Sequence, residues 1–176
     1  MAAGSLERFS TARLLAERLT ASHLPDLHRM DQNHQFMAQL GGVRDEAGTR
    51  AYFDMNMAHW EKHGFGLWML RDRQGGLVIG RAVLRHLDVE GTDEVETGYG
   101  FVPEFWGRGL ATEVARVCVG IGLDQVHLSS VVAVTLPTHL ASQRVMAKAG
   151  LTYEREISHQ GIVHLLFRVG RDRQTS

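Results

Sequence analysis

Glu96-Thr97-Gly98-Tyr99-Gly100-Phe101-Val102-Pro103-Glu104-Phe105-Trp106-Gly107-Arg108-Gly109-Leu110-Ala111-Thr112-Glu113 is the stretch on which the fold of this chain turns. It leaves a β-type run, Glu94 to Val102, and feeds the clearest amphipathic helix in the sequence. There, from Gly109 to about Gln125, Leu110, Val114, Val117, Cys118 and Ile121 share one stripe. Glycine is in excess, 19 of 176 residues against three prolines, and it is densest here, at 98, 100, 107 and 109. A glycine-containing loop entering a helix exposes unpaired backbone N–H groups with the positive end of the dipole behind them, a ready site for a phosphate or pyrophosphate. Arg108 adds a cation at the same place. The dinucleotide pattern G-x-G-x-x-G fails here, meeting Pro103 when begun at Gly98 and Thr112 when begun at Gly107, and the P-loop pattern is absent. The glycines alone are equally compatible with a tight turn.

Working outward, Arg13 to Leu19 predicts a first strand, and Thr20 or Ser22 could cap a helix running to about Asp31. Asp45 to His63 predicts a helix ending at Gly64, with Ala51, Met55, Ala58 and Trp60 near helical spacing and Lys62 and His63 at the end the macrodipole favours. Gly66 to Arg71, Leu77 to Leu87 and Glu94 to Val102, separated by Gly and Asp turns, predict an antiparallel meander. Past the amphipathic helix, Val131 to Leu136 predicts a buried strand. Leu140 to Lys148, with Gly150 beyond, predicts a helix with a glycine stop, and Leu151 to Ser158 with Ile162 to Val169 a hairpin turning through His159, Gln160 and Gly161. The expected organisation is one domain over residues 11–170, with tails at 1–10 and 171–176 and no internal repeat.

Composition bounds the class. The net charge is 19 − 20 = −1 and 44% of residues are apolar, ordinary globular values that do not advertise nucleic acid as a partner. A single cysteine, Cys118, cannot close an intramolecular disulfide. No run approaches the ~18 apolar residues of a membrane span, and Glu7 and Arg8 stand where a signal peptide would be apolar. The expectation is a cytoplasmic protein without a membrane partner.

The run Glu96 to Tyr99, continued by Pro103 to Glu113, closely resembles the cofactor loop of GNAT-superfamily acetyltransferases. Downstream, Leu140-Ala141-Ser142-Gln143-Arg144-Val145 with Ala149-Gly150-Leu151 resembles the later helix and glycine stop of the branch that includes ribosomal-protein N-terminal alanine acetyltransferases, as does the opening RLLAERLTASHL. The resemblance implies an α/β (α+β) fold: a mixed, largely antiparallel central sheet splayed between the fourth and fifth strands and flanked by helices. It implies acetyl-CoA as co-substrate and direct acetyl transfer to a primary amine, such as a protein N-terminus, by a monomer or homodimer. Carried over, Phe101 and Val102 offer backbone hydrogen bonds to pantetheine, with an N–H near Val102 as oxyanion donor. The N–H groups of Arg108, Gly109, Leu110, Ala111 and Thr112 cradle the pyrophosphate. Trp106 stands where the family usually has Gln or Arg, and His139 where it usually has Asn, a residue that helps hold the cofactor arm.

Acyl transfer to an amine needs a neutral nucleophile, a stabilised oxyanion and a way for the thiolate to leave. Glu96, two residues before Gly98, is the candidate base, with an acid satisfied by a neighbouring strand or helix end as the alternative. The helix Leu140 to Lys148 lacks the tyrosine that many relatives use, which leaves Ser142 as general acid or thioester-facing donor, with a cap or packing residue as the alternative. Of ten histidines, the helical pair His59 and His63 has Trp60 where H-E-x-x-H requires an acid, so no metal is expected. Cys118 on the apolar stripe is expected in the core, which disfavours a covalent route. Two alternatives stand beside this reading: acetylation of a small amine such as an antibiotic or polyamine, and a CoA-binding regulatory module without catalysis.

Overall fold

The computed structural model describes residues 6–171. Its eight strands are hydrogen-bonded in the order β1-β2-β3-β4-β5-β6-β8-β7, and helices flank them. The neighbouring strands whose register is given pair antiparallel except β5 with β6, which are parallel. The residues gather into two compact units, one built from the chain up to Ala82 with Gly100–Leu110, the other from Val83–Tyr99 with the chain from Ala111 onward.

In the first unit, β1 (Arg8–Ser10) pairs with β2 (Leu14–Arg18), which pairs with β3 (Leu67–Asp72). The lead-in expected to be a tail thus contains an edge strand; residues 1–5 and 172–176 lie outside the described residues. Thr20 opens a short 3-10 turn, Ala21–His23, in which its own N–H donates to His23 Nδ1 at 3.1 Å. Helix α1 (Leu24–Asp31) follows with Pro25 in its first turn, where no N–H is needed. Asn33 then caps the one-turn α2 (His34–Met37), accepting from Phe36 N at 2.9 Å.

Helix α3 (Glu46–His63) is bounded as expected, with Asp45 accepting from Gly48 N at its start and Gly64 at φ 73° closing it. Of the residues expected to share a stripe, Trp60 is buried and the others are not. Thr49, Phe53, Asn56 and Trp60 point inward, while Met55 is 52% exposed and Ala51 and Ala58 face solvent. Two of the four inward residues are polar, so a hydrophobicity pattern could not find this face. Thr49 and Asn56 are admitted because Thr49 Oγ1 donates to Asp31 at 3.1 Å and Asn56 Nδ2 to Tyr52 O at 2.7 Å. Trp60 and Trp68 meet edge to face at 5.5 Å, and each indole N–H finds a backbone carbonyl, so both belong to the core.

The second unit is built on the far part of β4 (Val78–Val89), on β5 (Thr92–Phe101) up to Tyr99, and on β6 (Ser130–Thr135), β8 (Ile162–Gly170) and β7 (Thr152–His159). Gln160 and Gly161 have φ 52° and 75°, the paired left-handed geometry that closes a tight hairpin between β7 and β8. Helix α4 (Leu110–Gly120) buries Val114, Ala115, Cys118 and Val119 and runs into a wider turn, Ile121–Gln125. Helix α5 (Leu140–Lys148) ends at Gly150, φ 93°.

The expected splay between the fourth and fifth strands falls between β5 and β6, the count being raised by β1. These parallel strands share a single register pair, Glu96 opposite Val132, whereas β6 and β8 pair over six positions.

Candidate active site

β5 carries the first candidate. Glu96 is 7% exposed, and its Oε1 accepts from Arg85 Nε on β4 at 2.8 Å. Among the described residues no hydrogen bond reaches its Oε2. Strand alternation puts Glu96 and Gly98 on one face of β5 and Thr97 and Tyr99 on the other. The Glu96 side is kept shallow: a Cβ on Gly98 would lie 3.1 Å from Val83 Cγ1.

On the opposite face the Tyr99 hydroxyl lies 3.1 Å from Ser142 Oγ and 3.2 Å from the Ser142 carbonyl. Ser142, in the first turn of α5, is 9% exposed. Burial, offset in part by the Ser142 hydrogen bond, pushes the Tyr99 phenol up to about 12. Glu96 and Ser142, the two expected catalytic residues, therefore belong to opposite faces of one strand, a division that suits a base approached by the amine and a donor approached by the thioester. His139, immediately before α5, is half-buried, and burial lowers its imidazole pKa from 6.5. A neutral imidazole offers one donor and one acceptor, where an Asn would offer an amide with two N–H donors and a carbonyl.

The chain from Phe101 to Thr112 has its own local geometry. Val102 N donates to Ile79 O at 2.8 Å. That bond occupies the N–H of Val102 itself and leaves its carbonyl and the neighbouring N–H groups. Because successive residues of a strand turn their N–H and C=O groups to opposite edges, Phe101 presents its N–H away from β4. The Phe101 carbonyl accepts from Trp106 Nε1 at 2.6 Å. Gly107 and Gly109 have φ 73° and 77°, a left-handed geometry that a side chain would strain. They bend the loop so that Leu110, Ala111 and Thr112 start α4 with first-turn N–H groups that have no intrahelical partner. Arg108 is exposed; its guanidinium lies over the Phe105 ring at 4.7 Å and donates to Glu104 O at 2.9 Å.

Three participants were not singled out from the sequence. Tyr99 lies inside the quoted stretch, where only its β-type neighbours gave a signal. Arg85 stands as far before the Glu90-Gly91 turn as Glu96 stands after it, a symmetry that could have suggested the pair. Arg13 donates through Nη1 to Arg108 O at 2.7 Å from 95 residues away, and its Nη2 is 3.6 Å from where a Cβ on Gly109 would be. No local pattern announces that contact. The expected core position of Cys118 holds: it is fully buried, and burial pushes its thiol up to about 12. His59 Nδ1 is 2.8 Å from Phe65 O, and its ring lies tilted against His63 at 4.5 Å.

Comparison with known proteins agrees with this geometry. The YkkB protein of Bacillus subtilis is 30% identical over 121 residues, covering 69% of this chain and 70% of that one. The FsC-acetyl coenzyme A-N(2)-transacetylase of Aspergillus fumigatus is 31% identical over 153 residues, 81% of this chain but only 64% of the fungal protein. Among solved structures, the ribosomal L7/L12 alpha-N-protein acetyltransferase RimL, in complex with coenzyme A, superposes with a TM-score of 0.76 at 16% identity, over 95% of this chain and 99% of that one. The family described as acetyltransferase (GNAT) domain matches residues 13–152. With the glycine-bent loop, the parted strands and this match together, the chain belongs to the GNAT acetyltransferases, enzymes that use acetyl-CoA as acyl donor.

Proposed function

We propose that residues 11–170 form one catalytic domain that moves an acetyl group from acetyl-CoA to a primary amine by direct transfer in a ternary complex in the cytoplasm. The observation that carries this reading is Glu96, buried on β5 at its one register pair with β6, with an oxygen left for a substrate proton. Glu96 accepts the proton of the attacking amine, directly or through water. Backbone groups of Phe101 and Val102 bind the thioester arm, the N–H groups of Arg108, Gly109, Leu110, Ala111 and Thr112 bind the pyrophosphate, and His139 supports the arm. Ser142 donates to the departing sulfur. The raised thiol pKa and full burial of Cys118 argue against an acyl-cysteine intermediate.

For the acceptor, the resemblance of the opening and of the Leu140 to Leu151 segment favours a protein N-terminus of the ribosomal-protein type. A small-molecule amine is the second reading, favoured by the 31% identity to a transacetylase against 16% to RimL. Thiol release from acetyl-CoA, measured with a panel of N-terminal peptides and small amines, tests both. Peptide-dependent release supports the first and amine-dependent release the second. Tight CoA binding with no release above hydrolysis for any acceptor would leave a regulatory module.

A further inference from the structure

The Tyr99 and Ser142 pair asks where two hydroxyl hydrogens point. Tyr99 Oη is nearly equidistant from Ser142 Oγ and the Ser142 carbonyl, at 3.1 and 3.2 Å. Two arrangements satisfy these distances. In one, the phenol donates to the carbonyl and the serine donates back to the phenol, so that the serine hydrogen is consumed within the pair. In the other, the phenol donates to Oγ, and the serine hydrogen must find an acceptor elsewhere. We propose that Tyr99 is a positioning residue for the departing thiolate: by donating to Ser142 Oγ it commits the Ser142 hydrogen to the sulfur. This rests on the reading of Ser142 as the thioester-facing donor.

The balance is simple. The amine nitrogen forms a bond to the acetyl carbon, the C–S bond breaks with its electron pair going to sulfur, and the amine proton goes to Glu96 and from there to water. The sulfur leaves as a thiolate that accepts a hydrogen bond from Ser142. No proton need leave the serine, because a thiol of ordinary pKa near 8.5 yields an anion that is stable enough near neutrality when hydrogen-bonded. The raised phenol pKa fits this role, since Tyr99 is a poor proton source but remains a fixed donor across the physiological range. Two hydroxyls in series also polarise one another, which strengthens the outer bond as negative charge gathers on sulfur.

Steady-state kinetics of Tyr99→Phe, Ser142→Ala and the double variant, with thermal melting of each, test the inference. Expected are a kcat about tenfold lower for Tyr99→Phe with KM for acetyl-CoA within about twofold, a comparable or larger loss for Ser142→Ala, and no further loss when Tyr99→Phe is added to Ser142→Ala. Full activity of Tyr99→Phe alongside an impaired Ser142→Ala overturns the role of Tyr99 and leaves that of Ser142 standing. Full activity of Ser142→Ala removes the Ser142 reading itself. Losses that multiply in the double variant, or a KM that rises with the kcat loss, reduce Tyr99 to a packing residue. Should Tyr99→Phe not fold, 3-fluorotyrosine at position 99 keeps the shape with a stronger donor. Its turnover should equal or exceed wild type, and a tenfold fall would overturn the inference.

Discussion

Two buried carboxylates in this molecule have opposite surroundings. Asp31, in the first unit, is 0% exposed; its Oδ1 accepts from Arg81 Nη1 at 2.7 Å and Arg44 Nη1 at 3.0 Å, and its Oδ2 from Thr49 Oγ1 at 3.1 Å. Arg81 is further caged by Phe36 and Tyr52, whose rings lie 5.0 and 4.9 Å from its guanidinium carbon. Glu96, in the second unit, is nearly as buried but has, among the described residues, one guanidinium contact, at one oxygen. A carboxylate with donors on both oxygens and no exposed surface fastens α1, α3 and β4 together. One with an oxygen left over can accept a substrate proton. Burial alone, the property that makes both look important, does not separate structure from chemistry; the count of donors does.

The comparison can be broken most sharply at Asp31. Asp31→Asn leaves two guanidinia without their counter-charge and should cost about 3–5 kcal/mol, lowering the melting temperature by about 10 °C. A loss below about 1 kcal/mol in a denaturant titration would show that Asp31 is not the fastening it is described as. Glu96→Gln should do the reverse. Turnover falls by roughly a hundredfold or more with acetyl-CoA affinity little changed and melting nearly as in wild type. Equal turnover for wild type and Glu96→Gln across pH would take Glu96 out of the mechanism.

Smaller effects sharpen the rest of the site. Arg108→Ala should weaken CoA binding by about tenfold by calorimetry while leaving turnover at saturation near wild type. His139 supplies a pH test. Its native pKa lies below 6.5, so the unfolded chain takes up a proton that the folded chain refuses, and stability should decline as pH falls through 6.5 and level off below the native value. His139→Asn should flatten that part of the stability profile without altering it near pH 8. Cys118 should resist thiol reagents until the protein is unfolded.

Much of the fold was legible. The helix from Asp45 has sharp signals at both ends, a capping Asp and a stopping glycine in left-handed geometry, and the helix from Leu140 has a stopping glycine at its end; their boundaries lie where those signals put them. The hairpin through Gln160 and Gly161 was legible for the same reason, since it is decided by residues adjacent in sequence. The face of α3 was not, because two of its inward residues are polar: Thr49 turns inward onto Asp31 of another helix, and Asn56 onto the Tyr52 carbonyl of its own. Edge strand β1 was missed because three residues carry too short a period to detect.

The sequence by itself determined the bent turn into α4, from Gly107 through Thr112, because paired glycines and a following helix start are local facts of the chain. It also pointed to the family, through a stretch that runs unbroken from one strand through a loop into a helix. Only the tertiary structure decided what each buried polar group does. It spent the Val102 N–H on Ile79, gave Glu96 one arginine and Asp31 two, and set the Tyr99 phenol against Ser142, 43 residues away. Hydrogen bonds are short and directional, so partners far apart in sequence are settled only when the chain has folded, and the site's chemistry depends on those partners.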